Sequence, residues 1–160
     1  PQGGDELNIL NLNDEEIQNF GWPISSYGVH YPSHVEHWKK IGAEKIFNEL
    51  APLKKSHSKF GFKEPLKYWT PSIGISEIIK IPNSFDNKFK NDYFVAAMGN
   101  VIEDGDQTIH HLRLSNSNEN IIFEDKIIIK ERIRDLVFNK NDNSIILMLG
   151  SEPSIAVLYK

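Results

Sequence analysis

Residues 133–159 read IRDLVFNKNDNSIILMLGSEPSIAVLY, which is three short apolar runs separated by turn-forming residues. The runs at 133–139, 144–150 and 154–159 are rich in Ile, Leu and Val, and β-branched residues in particular favour strands. Asn, Asp, Ser and Pro fill the intervals, and these residues are typical of turns. The pattern predicts three successive antiparallel strands connected by short turns.

The same alternation of strands and turns extends upstream to residue 75. Strands are predicted at 76–81, 93–98, 109–115 and 121–130, with turns at 82–84, 103–106 and 116–118. A further strand is predicted near the beginning of the chain, at 6–12. Short strands at such regular spacing indicate an all-β fold.

Residues 34–50 show a different period. Apolar side chains recur there at helical spacing, at Val35, Trp38, Ile41, Phe47 and Leu50. Prolines on both sides bound the segment, which is therefore predicted to be one amphipathic helix that buries Trp38, Ile41, Phe47 and Leu50. The helix could pack on the sheets or could bind a partner, and the sequence leaves both open.

Composition excludes several classes of protein. The chain has 160 residues, a net charge of -4 and no cysteine. A nucleic-acid-binding surface would need a basic face or stripe, so no nucleic-acid partner is expected. Disulfides and cysteine-ligated zinc are excluded, and no apolar run approaches the ~20 residues of a membrane span.

Five further segments occur in an order that is hard to obtain by chance. The chain opens with PQGGDELN at 1–8, followed by FGWP at 20–23. Downstream lie YWTPSI at 68–73, DYFVAA at 92–97 and RIRD at 132–135. In this order and spacing the segments resemble the soluble, pyrroloquinoline quinone (PQQ)-dependent sugar dehydrogenases, the glucose/sorbosone dehydrogenase family.

The resemblance implies a particular architecture. Members of that family are six-bladed β-propellers, and propeller blades are four-stranded antiparallel sheets. The chain is then a single partial propeller domain, 1–160, from the C-terminal portion. One complete blade is expected at about 75–130 and the last blade at about 133–159, with a helical insertion at about 32–63. Open strand edges would be covered by a missing N-terminal half or by another chain.

The resemblance also implies an activity. A PQQ-dependent aldose sugar dehydrogenase oxidises a sugar at its anomeric carbon to the lactone, in the periplasm or outside the cell. The family's catalytic histidine lies upstream of Pro1, so this chain is expected to be inactive by itself. None of the six histidines present replaces it by motif, and surface positions are expected for them.

Arg132 and Arg134 are the strongest candidates for cofactor binding. Residues two apart in a strand point to the same face, and the planar guanidinium fork matches carboxylate geometry. PQQ carries three carboxylates. The resemblance adds Pro1, Thr70 and Ser72 to the expected cofactor-binding residues. The alternative is a surface strand whose arginines pair with Glu131 and Asp135.

Calcium is the second expected cofactor. It prefers oxygen ligands, including backbone carbonyls. The resemblance implies that Pro1 keeps one of two carbonyls that bind calcium beside PQQ, and that Glu6 matches a ligand of a second, structural calcium in some members. Alternatively, Asp5 and Glu6 are solvated turn residues.

Two departures from the family pattern keep other functions open. Met98-Gly99-Asn100 stands where members commonly place a lysine near the cofactor. The helical segment has no counterpart in the resemblance. A non-catalytic β-propeller binding module is therefore the main alternative, and a sugar-binding protein without a redox cofactor is a third possibility.

Overall fold

A computed structural model describes residues 3–99, 107–150 and 153–160. Strands dominate these residues, and helices are few. The chain divides after Ser72 into two compact units. No helix in the described ranges is long and apolar enough to cross a membrane.

The first unit combines a small sheet with two helices and long connecting loops. Its elements are β1 (Asp5–Leu7), α1 (Pro32–Lys40), α2 (Glu44–Leu50), a 3₁₀ turn (Ser58–Phe60) and β2 (Lys67–Trp69). β1 pairs antiparallel with β2, with Glu6 opposite Tyr68. The predicted strand at 6–12 was too long, since pairing ends at Leu7, and β2 was not predicted. Both strands are three residues long, which is too short to show a periodic pattern.

The single helix predicted at 34–50 is wrong. Gly42, at φ +71°, lies between the end of α1 and the start of α2 and separates the two helices. Glycine adopts this left-handed conformation without a steric penalty. Trp38 stacks on Phe47 across the break, with ring centroids 5.2 Å apart. Ile41 and Leu50 are 55% and 68% exposed, so the prediction that they are buried is also wrong.

The second unit begins with a four-stranded antiparallel sheet. Its strands are β3 (Ile75–Lys80), β4 (Asp92–Ala97), β5 (Thr108–Leu114) and β6 (Ile121–Ile128). They pair in sequence order, β3-β4-β5-β6. All four strands predicted between 75 and 130 are confirmed, with bounds within two residues. The predicted turn at 103–106 lies outside the described residues.

A three-stranded antiparallel sheet follows, formed by β7 (Ile133–Asn139), β8 (Ser144–Leu149) and β9 (Ser154–Leu158). These are the three strands that residues 133–159 predict. The β7–β8 connection has Asn143 at φ +57°. The side-chain amide of Asn143 donates a hydrogen bond of 2.6 Å to the backbone carbonyl of Ser84, which connects this turn to the loop after β3.

The core of the second unit lies between its two sheets. Apolar side chains from both sheets are buried there, namely Ile81, Phe85, Phe94, Ala96, Ile109, Ile133, Leu136, Ile145 and Leu147. Burying each large one stabilises the fold by ~1.5 to 3 kcal/mol. The Ser76 hydroxyl also donates to the backbone carbonyl of Ile133 at 2.7 Å, which joins β3 to β7.

A buried charged network fixes β4 against β5. Asp92 is fully buried, and its two oxygens accept hydrogen bonds from Arg113 at 2.8 and 2.9 Å. His111 Nε2 lies 2.5 Å from Asp92 Oδ2, and the imidazole ring is packed edge-on among three phenylalanine rings. The expectation of surface histidines is therefore wrong for His111, as it is for His110 and His57.

Candidate functional site

The arginine pair lies at a distortion of β7. Arg132 immediately precedes the strand, and the pairing with β8 shifts between Ile133 and Asp135. Ile133 is fully buried, whereas Arg134 and Asp135 are both exposed. Such bulges re-aim a side chain and are over-represented next to active sites. This register shift lies within RIRD at 132–135, the segment that carries the predicted cofactor-binding arginines.

Arg132 and Arg134 point to the same side of the sheet. The Gly150 amide donates to the Arg132 carbonyl at 2.8 Å, which places Gly150 opposite Arg132. Residues opposite each other in an antiparallel pair share a face. A Cβ added to Gly150 would lie 2.8 Å from Cγ of Arg134, so the Arg134 side chain crosses this same face. A side chain at position 150 would displace it.

Arg132 carries a buried donor that lacks a hydrogen-bond partner within the described chain. The atom is Nε. Glu131 accepts a hydrogen bond from the backbone N–H of Arg132, at 2.7 Å. A buried donor without an acceptor costs about 1 to 3 kcal/mol. An anionic ligand that reached Nε would remove this cost.

Arg134 contacts the residue found near the position of the family's lysine. Its Nη1 lies 3.3 Å from Met98 Sδ, at an exposed part of the surface. The Met98 amide in turn donates to the Gly74 carbonyl at 2.8 Å. The positive charge here therefore comes from Arg134, beside an uncharged thioether.

Thr70 and Ser72 lie in the first unit, where both contact other loops. Ser72 Oγ is 2.8 Å from each carboxylate oxygen of Asp5, so its single proton is directed to that carboxylate. Thr70 Oγ1 donates to the Tyr27 carbonyl at 3.3 Å. Gly3 lies against the Thr70 side chain, since a Cβ at Gly3 would be 2.9 Å from Oγ1.

The aromatic pair before Thr70 has two different roles. Trp69 is buried, whereas Tyr68 is 46% exposed. Tyr68 stacks on Tyr27, with centroids 3.9 Å apart and planes 6° from parallel. Trp69 is thus a core residue, and Tyr68 presents an aromatic surface backed by a second ring.

Tyr27 is itself anchored by Glu64, a contact that the sequence analysis missed. The Tyr27 hydroxyl donates to Glu64 Oε2 at 2.7 Å, and Ser58 donates its backbone N–H to Oε1 at 2.8 Å. Desolvation and the Glu64 hydrogen bond raise the pKa of Tyr27 to about 12. Although desolvation opposes it, hydrogen bonding by Ser58 and Tyr27 lowers the pKa of Glu64 to about 2.

Glu6 is engaged by protein groups at both carboxylate oxygens. Oε1 lies 3.1 Å from His57 Nε2, and Oε2 accepts a 3.2 Å hydrogen bond from the Asn8 amide. The His57 contact does not meet hydrogen-bond geometry, so it is an electrostatic contact. Asp5 and Glu6 lie in β1 rather than in a turn, which corrects the alternative interpretation of them. Nothing in the sequence near Glu6 signals a histidine 51 positions later.

Pro1, predicted to contribute to both cofactor and calcium binding, lies outside the described residues. Within those residues, no group of three or more His, Asp or Glu side chains is arranged to hold a metal ion.

Stacked antiparallel sheets with an arginine pair at a bulged strand define a mostly β protein with a candidate anion-binding face. The sequence model of the glucose/sorbosone dehydrogenases matches residues 1–156. The chain belongs to the glucose/sorbosone dehydrogenase family.

Solved structures show the same fold. One glucose dehydrogenase aligns with a TM-score of 0.67 and 22% identity over 98% of this chain. A second glucose dehydrogenase aligns with a TM-score of 0.70 and 22% identity over 100% of it. The soluble aldose sugar dehydrogenase from Escherichia coli, in the apo-form, aligns with a TM-score of 0.69 and 21% identity over 100% of it.

The alignments cover 37% to 39% of those proteins, so the chain spans less than two fifths of their length. A search of curated protein sequences gave no significant match.

Proposed function

We propose that the chain is the C-terminal part of a PQQ-dependent aldose sugar dehydrogenase that oxidises a sugar at its anomeric carbon to the lactone. Family membership supports the reaction class. The observation that carries the cofactor assignment is the buried Nε of Arg132, which has no hydrogen-bond partner among the described residues, beside Arg134 on one face. This arrangement suits a planar ligand with several carboxylates.

The residues at this face fit PQQ chemically. Arg132 and Arg134 would each bind a carboxylate of the cofactor, and Gly150 leaves the room that the Arg134 side chain needs. By family resemblance, Thr70 and Ser72 would contribute hydroxyl groups to the cofactor, and Pro1 a carbonyl. Bound PQQ would supply the acceptor for the hydride that leaves the sugar.

The base that takes the sugar's hydroxyl proton would come from a histidine upstream of Pro1. The histidines of this chain serve other contacts: His57 meets Glu6, and His111 meets Asp92. The isolated chain is therefore expected to be inactive. In the complete protein, which would be periplasmic or secreted, it supplies one wall of the cofactor site.

Calcium fits the described residues less well. A carboxylate binds calcium through its oxygens, and both oxygens of Glu6 are already in contact with His57 and Asn8. A calcium ion would lie beside PQQ at the Pro1 carbonyl, as the family resemblance implies. No step of the reaction is assigned to it.

One face of the second unit supports the view that more polypeptide belongs to the protein. Val137, Met148 and Ile155 are 52%, 58% and 73% exposed on the β7–β9 sheet. They help to line a shallow apolar depression of about 340 Å³. Monomeric proteins rarely expose contiguous apolar patches larger than a few hundred Å². We infer that another part of the complete protein, or another chain, covers this sheet and its open edges.

Titration of PQQ into the complete protein, with calcium present, tests the proposal. Arg132→Ala and Arg134→Ala should each weaken binding by about 1.5 to 3 kcal/mol, which is the value of a charge-assisted hydrogen bond. Lys140→Ala, an exposed lysine at the β7–β8 turn, is the matched control and should bind as the wild type does.

Three results would contradict the cofactor assignment. Equal PQQ affinity in both arginine variants and the wild type would remove the arginine pair from the site. Absence of PQQ binding by the wild type would favour the non-catalytic β-propeller binding module. Sugar binding without PQQ binding would instead favour a sugar-binding protein that lacks a redox cofactor.

A further inference from the structure

Lys55 holds two backbone carbonyls of one loop. Its ammonium donates to the carbonyl of Ser26 at 3.1 Å and makes a second, short contact with the carbonyl of Gly28. Lys55 lies in the segment between α2 and the 3₁₀ turn, 29 residues after Ser26 and 27 residues after Gly28. Converging backbone carbonyls are also what a calcium ion selects as ligands, and an ammonium supplies three donors to such oxygens.

The loop that Lys55 holds lies directly against the segment that leads into Glu6. A Cβ added to Gly4 would be 2.5 Å from the Gly28 nitrogen and 2.8 Å from Ser26 Oγ. Ser26 Oγ also accepts the Gly28 N–H at 3.1 Å, which closes the loop on itself. The carbonyls and Glu6 therefore belong to one packed region.

Glu6 receives its partner from the same segment. His57, two residues after Lys55, is fully buried and lies 3.1 Å from Glu6 Oε1. Gly21 makes this burial possible, since a Cβ there would be 2.8 Å from His57 Nδ1. Lys55 and His57 thus bring a cation and an imidazole to the loop carbonyls and the carboxylate.

We propose that Lys55 and His57 take the place of the structural calcium that the resemblance predicts at Glu6. The ammonium meets the carbonyls of Ser26 and Gly28, and the imidazole lies against one oxygen of Glu6, so the first unit keeps this region together without a metal ion. Burial of the ammonium lowers the pKa of Lys55, as expected for a cation partly removed from water. The proposal goes beyond the dehydrogenase assignment and does not depend on PQQ binding.

Hydrogen exchange of the complete protein, read at the amides of Ile24, Ser25 and Ser26, tests it. These amides are hydrogen-bonded within the loop region. A calcium chelator and added millimolar calcium should change their exchange rates no more in the wild type than in Glu6→Gln, which lacks the carboxylate. Lys55→Met keeps the aliphatic stem but removes the charge. It should raise their exchange about tenfold or more, the effect of one lost charge-assisted hydrogen bond.

Lys59→Met, a neighbouring exposed lysine of the same segment, is the control and should exchange as the wild type does. Amides of β4 in the second unit report whether a variant remains folded. Faster wild-type exchange in chelator, reversed by calcium and lost in Glu6→Gln, would overturn the proposal and assign a metal to Glu6. Equal exchange in Lys55→Met and Lys59→Met would also overturn it. If Lys55→Met fails to fold, the comparison of wild type with Glu6→Gln in chelator still decides.

Discussion

The two units of the chain are stabilised by different interactions. In the second unit, apolar side chains from two antiparallel sheets share one core. In the first unit, Leu53 and Trp69 are the buried apolar side chains among the described residues. Long-range polar contacts such as Lys55 to Ser26 and Tyr27 to Glu64 connect its loops instead. A periodic sequence pattern encodes the first kind of stability but not the second.

The largest effect of a single substitution is expected in the core of the second unit. Leu147 is fully buried between the sheets, so Leu147→Ala should lower the free energy of unfolding by about 3 to 5 kcal/mol through lost burial and a residual cavity. Urea denaturation followed by circular dichroism measures it. Ile122→Ala, 62% exposed on β6, is the control and should change stability far less. Equal losses in the two variants would contradict the placement of the core.

Sequence alone predicts the second unit well because each of its strands is long enough to show its pattern. The seven strands from β3 to β9 match predicted runs, and the sequence between them carries Asn, Asp or Pro at every connection except 129–132, between β6 and β7. Local propensity and long-range packing agree there, as they do in regular sheets.

The first unit is predicted poorly for a physical reason. The backbone of β2 pairs with a strand about 60 residues earlier, and the partner of Glu6 is a histidine 51 residues away. Contacts of this kind leave no trace in local spacing. The arginine pair was proposed from strand period, although Arg132 precedes β7 and the register shifts between Ile133 and Asp135. Lys55, His57 and Glu64 were missed because their roles depend on which loops meet.

A moderate effect is expected at the helix pair of the first unit. Trp38 is half-buried and stacks on Phe47, with planes 9° from parallel. Trp38→Ala should cost more than the ~0.5 to 1.5 kcal/mol of an aromatic pair, because some apolar burial is lost too. Trp38→Phe should keep most of this stability, because the second ring is retained. Thermal denaturation compares the two, and an unchanged melting temperature in Trp38→Ala would favour a partner-binding role for the helices.

The smallest effect, and the most specific to the first unit, is expected at Glu64. Its pKa is lowered from 4.5 to about 2, so the carboxylate stabilises the folded state fully above pH 4.5 and loses this contribution as the pH falls toward 2. The side chain is exposed, and solvent screening therefore keeps the expected difference between wild type and Glu64→Gln below about 1 kcal/mol.

The difference in unfolding free energy between wild type and Glu64→Gln, measured from pH 7 down to pH 2.5, tests this. This difference should be constant from pH 7 to about pH 5. It should shrink below pH 4.5, because the carboxylate is then protonated in the unfolded state while it is still ionised in the folded state. Glu49→Gln, an exposed carboxylate of α2, is the control. A Glu64 difference that stays constant to pH 2.5 would show that Tyr27 and Ser58 bind the side chain by geometry rather than by its charge. The first unit's polar contacts would then resemble the second unit's packing in being independent of pH.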